Sequence, residues 1–417
     1  MAVPASIFGK EFGLGDRQEE SVVSEGQPRI CVGGIEIGEG EREYIGRVLD
    51  TGRLSYGPFM REFEQRFAAM QGAAHGIMSN SGTSALQLAL HALKEIHGWS
   101  DGDEVVVPAV TFVATSNIVI HNRMKPVFID VEREYYELDP ALLESKITTR
   151  TRAIIPVHLF GLPCEMDPIR DVAARYDLKI IEDSCETMFA RYRGEPVGSM
   201  GDIGCFSTYI AHLLVTGVGG LNTTSNHDYM VKIRSLLNHG RDPSYLSIDD
   251  DDDVSDQELQ EIVARRFRFN SIGYSYRATE LEAALGLAQL EKIEVAIQQR
   301  AANAARITDG LRDLEDRIQL PRIRPGCDHA FMMYPIVLRD EEKSRVVNGL
   351  EKRGVETREM LPLVNQPVYQ RLFQIDVNDY PIADWINCNG FYVGCHQYLA
   401  PQDLDYLLEV LHEVISD

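Results

Sequence analysis

Basic residues are scarce in this chain: 41 Lys and Arg stand against 64 Asp and Glu, for a formal net charge of −23. A sequence-independent grip on nucleic acid needs a basic face that displaces counterions, so that class of partner is excluded. The same field disfavours anionic membrane surfaces. No apolar run reaches the ~18–20 residues that would span a bilayer, and Met1 to Gly15 lacks the charged-then-apolar pattern of a leader. The seven cysteines run from Cys31 to Cys395 without a CxxC pair, which fits reduced thiols and not a disulfide framework. No repeat with a period of ~20–50 residues stands out, which removes solenoids and propellers. The expectation is a soluble, acidic, cytoplasmic protein with no metal site.

What is present is enough apolar material for a full core: 44% of residues are hydrophobic and 25% charged, near the averages of globular chains. The length of 417 residues suits a large α/β domain with a smaller appendage. We expect an N-terminal arm at 1–34, a large domain at 35–300 and a small C-terminal domain at 301–417. Short apolar runs alternate with amphipathic segments. Gly76–Met78, Glu104–Pro108, Pro126–Asp130, Ala153–Val157 and Lys179–Glu182 read as strands, and Thr83–Ile96, a segment from near Thr115, Asp167–Tyr176 and Ile293–Leu314 as helices. Strands this short and apolar, separated by helices, indicate a largely parallel sheet covered on both faces. The aspartates Asp249–Asp253 read as a solvated insertion; consecutive acids lack the alternate-position spacing of a calcium loop.

Three segments could carry chemistry. Asn80-Ser81-Gly82-Thr83-Ser84 lies between a strand and a helix, where glycine lets backbone N–H groups approach an anion and the helix dipole favours negative charge. The same pattern serves equally as an ordinary N-cap. Ile180-Ile181-Glu182-Asp183 ends a strand in acids, at the edge where open α/β sheets place their ligands; an Asp there can keep a heteroaromatic nitrogen protonated. Ser207 to His212 leads into the glycine cluster Gly217-Val218-Gly219-Gly220, a weak signal by itself.

In order along the chain, from about Ile35 to Leu411, these pieces resemble the DegT/DnrJ/EryC1/StrS family of PLP-dependent sugar aminotransferases and dehydratases. The matching segments include Thr51 to Pro58, Ser81 to Leu86, Pro108 to Thr115, His158 to Gly161, Ile181 to Asp183, Asn238 to Gly240 and Gly273 to Arg277. The resemblance implies a fold type I PLP-enzyme: a large domain around a mixed, mostly parallel seven-stranded sheet, and a small C-terminal α/β domain. It also implies a homodimer whose sites are completed by the partner chain. Gly82, Thr83 and Ser207 would hold the cofactor phosphate, Phe112 would stack on its ring, Asp183 would pair with the pyridine nitrogen, and Ser275 would reach the neighbouring subunit's site. Arg277 beside it is a further candidate for phosphate or nucleotide.

One departure bears on function. Family aminotransferases carry a Schiff-base lysine six residues before the glutamate of a Gly-Glu-Gly-Gly turn. Here Val218 stands at the glutamate and His212 at the lysine. An imidazole cannot form that bond, but it can move protons near neutral pH. The family's sugar 3-dehydratases show the same replacement, and Glu186 also resembles theirs. In those enzymes the histidine takes a proton from the cofactor's C4′ carbon, and the C3 hydroxyl of a 4-keto-6-deoxy sugar nucleotide leaves. Hydrolysis then gives a 3-deoxy-4-keto sugar and ammonia. The resemblance therefore implies a 3-dehydratase with PLP/PMP as cofactor, L-glutamate as amino donor and His212, Asp183 and Glu186 as catalytic residues. A sugar aminotransferase and a catalytically silent, ligand-binding family member are the alternatives. Cys327, Cys388 and Cys395 lack the close pair that an iron–sulfur dehydratase would need; Cys388 and Cys395 read as buried neutral thiols.

Overall fold

Nine strands account for the first half of the fold: β1 (His75–Ser79), β2 (Glu104–Pro108), β3 (Lys125–Ile129), β4 (Thr151–Ile154), β5 (Lys179–Asp183), a hairpin of β6 (Arg191–Tyr192) and β7 (Glu195–Pro196), then β8 (Ile203–Ser207) and β9 (Gly220–Thr224). The structure, a computed structural model, describes residues 30–244, 246 and 254–416. The Asp249–Asp253 run and most of the expected N-terminal arm lie outside the described residues. Seven strands form one sheet in the order β1-β9-β8-β5-β4-β2-β3. Pairings from β3 through β8 are parallel, and β9 runs antiparallel to both β8 and β1. This is the mixed, mostly parallel sheet expected.

The continuous apolar runs are strands because both faces are buried: every residue of β2 and β8 is out of water, as parallel sheets require. The polar β9, Gly-Leu-Asn-Thr-Thr, is buried as well. It is tolerated because each polar side chain finds an acceptor for its donor: Asn222 donates to the Ala85 carbonyl (2.9 Å), Thr223 to Gly198 (2.8 Å) and Thr224 to Asp202 (2.9 Å). The helix Gly82–His97 packs across β8 and β9. Its N-cap is Ser81, whose hydroxyl accepts from the Ser84 N–H at 3.1 Å.

The helix Ile293–Gly310 leads from this sheet to the second one and ends in a 3₁₀ turn at Arg312–Leu314. The second sheet is antiparallel, with strands β10 (Ile318–Gln319), β11 (Tyr334–Leu338), β12 (Thr357–Glu359) and β13 (Gly390–Val393) in the order β10-β11-β13-β12. The sheet shares a separate core with the helices Lys343–Lys352 and Pro401–Ser416. Ile30 belongs to that core, bridging to Val355. Two cysteines part ways here. Cys395 is buried, its Sγ donating to the Phe331 carbonyl at 3.2 Å. Cys388 is exposed, contrary to the reading of a buried thiol, because it sits near the end of the helix Pro381–Asn389 on its outer side.

Candidate active site

The carboxyl ends of β5 and β8 and the start of the helix Gly82–His97 meet at a cavity of about 590 Å³. Of the residues singled out from sequence, Gly82, Thr83, Phe112, Asp183, Glu186, Ser207 and His212 all line it. Ser275 does not. It is exposed, bridges Asn238 and accepts from Arg277 Nη2 at 3.1 Å.

Asp183 ends β5, and strand alternation sends it and Glu182 to opposite faces. Glu182 is structural: its carboxylate accepts from the N–H groups of Gly198, Met200 and Gly201 and lies 3.0 Å from His158 Nε2. Asp183 faces the cavity. Its Oδ2 accepts from the Thr115 hydroxyl at 2.7 Å and its Oδ1 from the Cys185 N–H at 3.2 Å. Thr115 is itself paired with Thr111 at 2.9 Å. Burial pushes the Asp183 carboxyl above its usual range, against those hydrogen bonds.

Gly82 opens its helix directly against the end of β8. A Cβ built there would lie 2.6 Å from Ser207 Cβ, so only glycine permits the approach. The free N–H groups of the helix's first turn, the Thr83 and Ser207 hydroxyls and the dipole then face one space. Phe112, 54% exposed, stands at the cavity wall at the N-cap of the helix Val113–His121.

After Ser207 the chain turns through Tyr209 to His212, whose Nδ1 lies 2.9 Å from the Ser207 carbonyl oxygen. A carbonyl only accepts, so Nδ1 carries the hydrogen and Nε2 keeps its lone pair. Burial lowers the imidazole to about 4, so the ring is neutral near pH 7. Glu186 moves the other way: burial pushes its carboxyl up to about 7, although the Phe160 N–H donates to it at 3.1 Å. Among the described residues no lysine lines the cavity. Lys179 pairs with Asp202 at 3.4 Å and Lys232 with Glu95 at 3.0 Å, both away from it.

These residues fit a phosphorylated pyridine. The cup matches a phosphate, the exposed Phe112 face a planar ring, and Asp183 is a buried carboxylate that no cation among the described residues pairs, which a protonated ring nitrogen would supply. Sequence reasoning missed Tyr209, Met332, Met333, Glu356 and Arg358, which complete the wall. Arg358 on β12 pairs with Glu356 just before that strand, and Val32 donates its N–H to Glu356 at 2.9 Å. Thr115 lay inside a recognised segment, but nothing local marked it as the partner of Asp183.

The model of the DegT/DnrJ/EryC1/StrS aminotransferase family matches residues 36–412. The chain belongs to that family. It is 35% identical over 393 residues to GDP-perosamine synthase of Caulobacter vibrioides, covering 93% of this chain and 99% of that one. It is 30% identical to dTDP-4-dehydro-2,6-dideoxy-D-glucose 3-dehydratase of Saccharopolyspora spinosa, covering 96% and 89%. Among solved structures it superposes on E. coli GDP-4-keto-6-deoxy-D-mannose-3-dehydratase with bound hydrated PLP, with a TM-score of 0.84, 25% identity, and 92% and 100% of the two chains covered. The fold type I architecture and the PLP-dependent sugar enzyme class, aminotransferase or dehydratase, with its PLP/PMP cofactor, stand as the sequence implied.

Proposed function

We propose that the protein is a PLP/PMP-dependent 3-dehydratase of a nucleotide-linked 4-keto-6-deoxy sugar in deoxysugar biosynthesis. The observation that carries this reading is the histidine at the lysine's place: among the described residues, a cavity wall without lysine, and His212 held with Nε2 unpaired. When bound, the cofactor supplies an electron sink and, as PMP, the amine that engages the 4-keto carbon.

The protein's own residues do the rest. The Gly82–Thr83 turn and Ser207 would hold the phosphate, Phe112 would cover the ring, and Asp183 would keep its nitrogen protonated. His212 Nε2 would serve as the proton acceptor facing the bound group. Because burial disfavours the imidazolium, His212 then passes the accepted proton to the departing C3 hydroxyl, which leaves as water. Glu186, titrating near neutrality, exchanges a proton with the water that completes hydrolysis.

The amino donor in this proposal is L-glutamate. The working form is a cytoplasmic homodimer in which Ser275 and Arg277, outside their own chain's cavity, serve the neighbouring site. The division at 1–34, 35–300 and 301–417 is proposed with it. A sugar aminotransferase is the second reading, favoured by the 35% identity to GDP-perosamine synthase.

The test is incubation with PLP, L-glutamate and a 4-keto-6-deoxy sugar nucleotide, with product analysis by mass spectrometry. A deoxy-keto sugar with ammonia supports dehydration, and an amino sugar supports transamination. Failure to bind PLP leaves the silent family member.

A further inference from the structure

Arg300, on the helix Ile293–Gly310, is fully buried. Among the described residues no carboxylate pairs with it; its partners are all neutral. Nε donates to Gln397 Oε1 at 2.7 Å, Nη1 to the carbonyls of Phe331 (3.2 Å) and Met332 (2.8 Å), and Nη2 to the His212 carbonyl at 3.5 Å. A guanidinium stays protonated even where burial lowers it, so this is a full charge in the interior without a counter-ion. Burying a cation unpaired is expensive, and an apolar side chain of similar volume would ordinarily be more stable there. The arrangement therefore points to a role other than stability.

The partners suggest that role. Phe331 adopts a left-handed φ of 44°, and the next residues, Met332 and Met333, form one wall of the cavity. The His212 loop forms another. One planar fork grips both, from behind. We propose that Arg300 is a positioning residue for His212: it pins the base's loop to the Phe331–Met332 segment, and its uncompensated charge adds to burial in disfavouring the imidazolium. The other titratable groups lining the cavity with His212 are Tyr209 on its own loop and Asp183, Cys185, Glu186, Glu356, Arg358 and Tyr392 across from it. Burial and the Arg300 charge both disfavour the imidazolium, against the hydrogen bond to the Ser207 carbonyl. This inference rests on the reading of His212 as the base.

The test is a ¹³C-histidine NMR titration of the full chain without added cofactor, from pH 8 to 5, with the His212 signal assigned from H212N. In the wild type the signal should hold its neutral-form position throughout. In R300M its midpoint should rise, while burial still holds it below the usual imidazole range. R300K keeps the charge but loses the fork, so its titration should stay low while kcat falls by about tenfold to a hundredfold. An R300M signal that titrates like the wild type overturns the electrostatic role. Wild-type kcat in R300K overturns the positioning role. If R300M does not fold, Q397L, which removes the Nε acceptor and leaves the cation, takes its place: kcat should drop at an unchanged titration, and unchanged kcat overturns the proposal. Full activity in H212N alongside a shifted R300M titration would sink the base assignment and leave the hold of Arg300 on His212 intact.

Discussion

His212 Nδ1 lies 2.9 Å from the carbonyl oxygen of Ser207, and Ser207 is the residue against which Gly82 closes the anion cup. One residue thus serves both features: its hydroxyl side faces the cup and its carbonyl sets the tautomer of the base. The proton-accepting nitrogen and the anion site are therefore positioned together.

Replacing His212 by Asn keeps a donor for the Ser207 carbonyl and removes the proton acceptor. We expect H212N to bind PLP, by absorbance, while turnover falls by about 10²–10⁴-fold. A wild-type rate would remove His212 from the mechanism. H212K restores an amine at the same place, and borohydride should then fix the cofactor to the chain as a mass increase. No adduct would mean that this position does not face the aldehyde.

Two cavity groups, the buried Glu186 and the half-buried His212, should give the protein opposing pH dependences. Glu186, raised from 4.5 to about 7, is protonated in the folded state where the unfolded chain has lost that proton. Its contribution is full below about pH 4.5 and is lost as pH rises toward 7. His212, lowered from 6.5 to about 4, contributes fully above about 6.5 and loses that contribution as pH falls toward 4. Each is worth about 3 kcal/mol across its window, with opposite signs. Relative to wild type, E186Q should gain stability between pH 4.5 and 7, and H212N should gain it as pH falls from 6.5 to 4. Urea unfolding at four pH values measures both slopes; parallel curves for variant and wild type would contradict the burial-driven shifts.

Asp183→Asn separates binding from folding. Among the described residues the carboxylate has no cation in an ion pair with it, and burial already disfavours its charge, so removing that charge should change unfolding of the cofactor-free protein by less than about 1 kcal/mol. Affinity for PLP should drop at least about tenfold, because the ring nitrogen loses its counter-charge. Equal PLP affinity in D183N and wild type would place the ring elsewhere.

Much of this was legible in the sequence where one local rule decided the outcome. Glu104–Pro108 is the strand expected, residue for residue, because a continuous apolar run between turn signals has few other fates. The glycine cluster after His212 was harder. β8 and β9 escaped notice since Gly-Leu-Asn-Thr-Thr has no alternation, and its burial depends on acceptors 22 to 137 residues away. Gly220 is needed because a Cβ there would meet the Ser81 carbonyl oxygen at 2.2 Å, a packing constraint and not a ligand contact. Glu356, Arg358 and Arg300 reach the cavity or the residue beside it only through the docking of the second sheet, and no local pattern encodes that.

Gly82→Ala tests the cup itself. The added carbon would sit 2.6 Å from Ser207 Cβ and 3.1 Å from Cys185 Sγ, well inside the ~3.5–4.0 Å at which carbon atoms pack. The helix start or the end of β8 must move, and overpacking of this kind costs about 1–3 kcal/mol. Displacing Ser207 opens the cup and carries its carbonyl away from His212, so two losses should appear together. PLP affinity should fall, and kcat should stay low even at saturating cofactor, since the base has moved as well. Gly34→Ala is the control, because a Cβ there meets nothing within 4 Å, and it should leave affinity, kcat and thermal unfolding unchanged. A G82A protein that binds PLP like the wild type but is less stable would reduce Gly82 to a packing residue and move the phosphate site away from this helix.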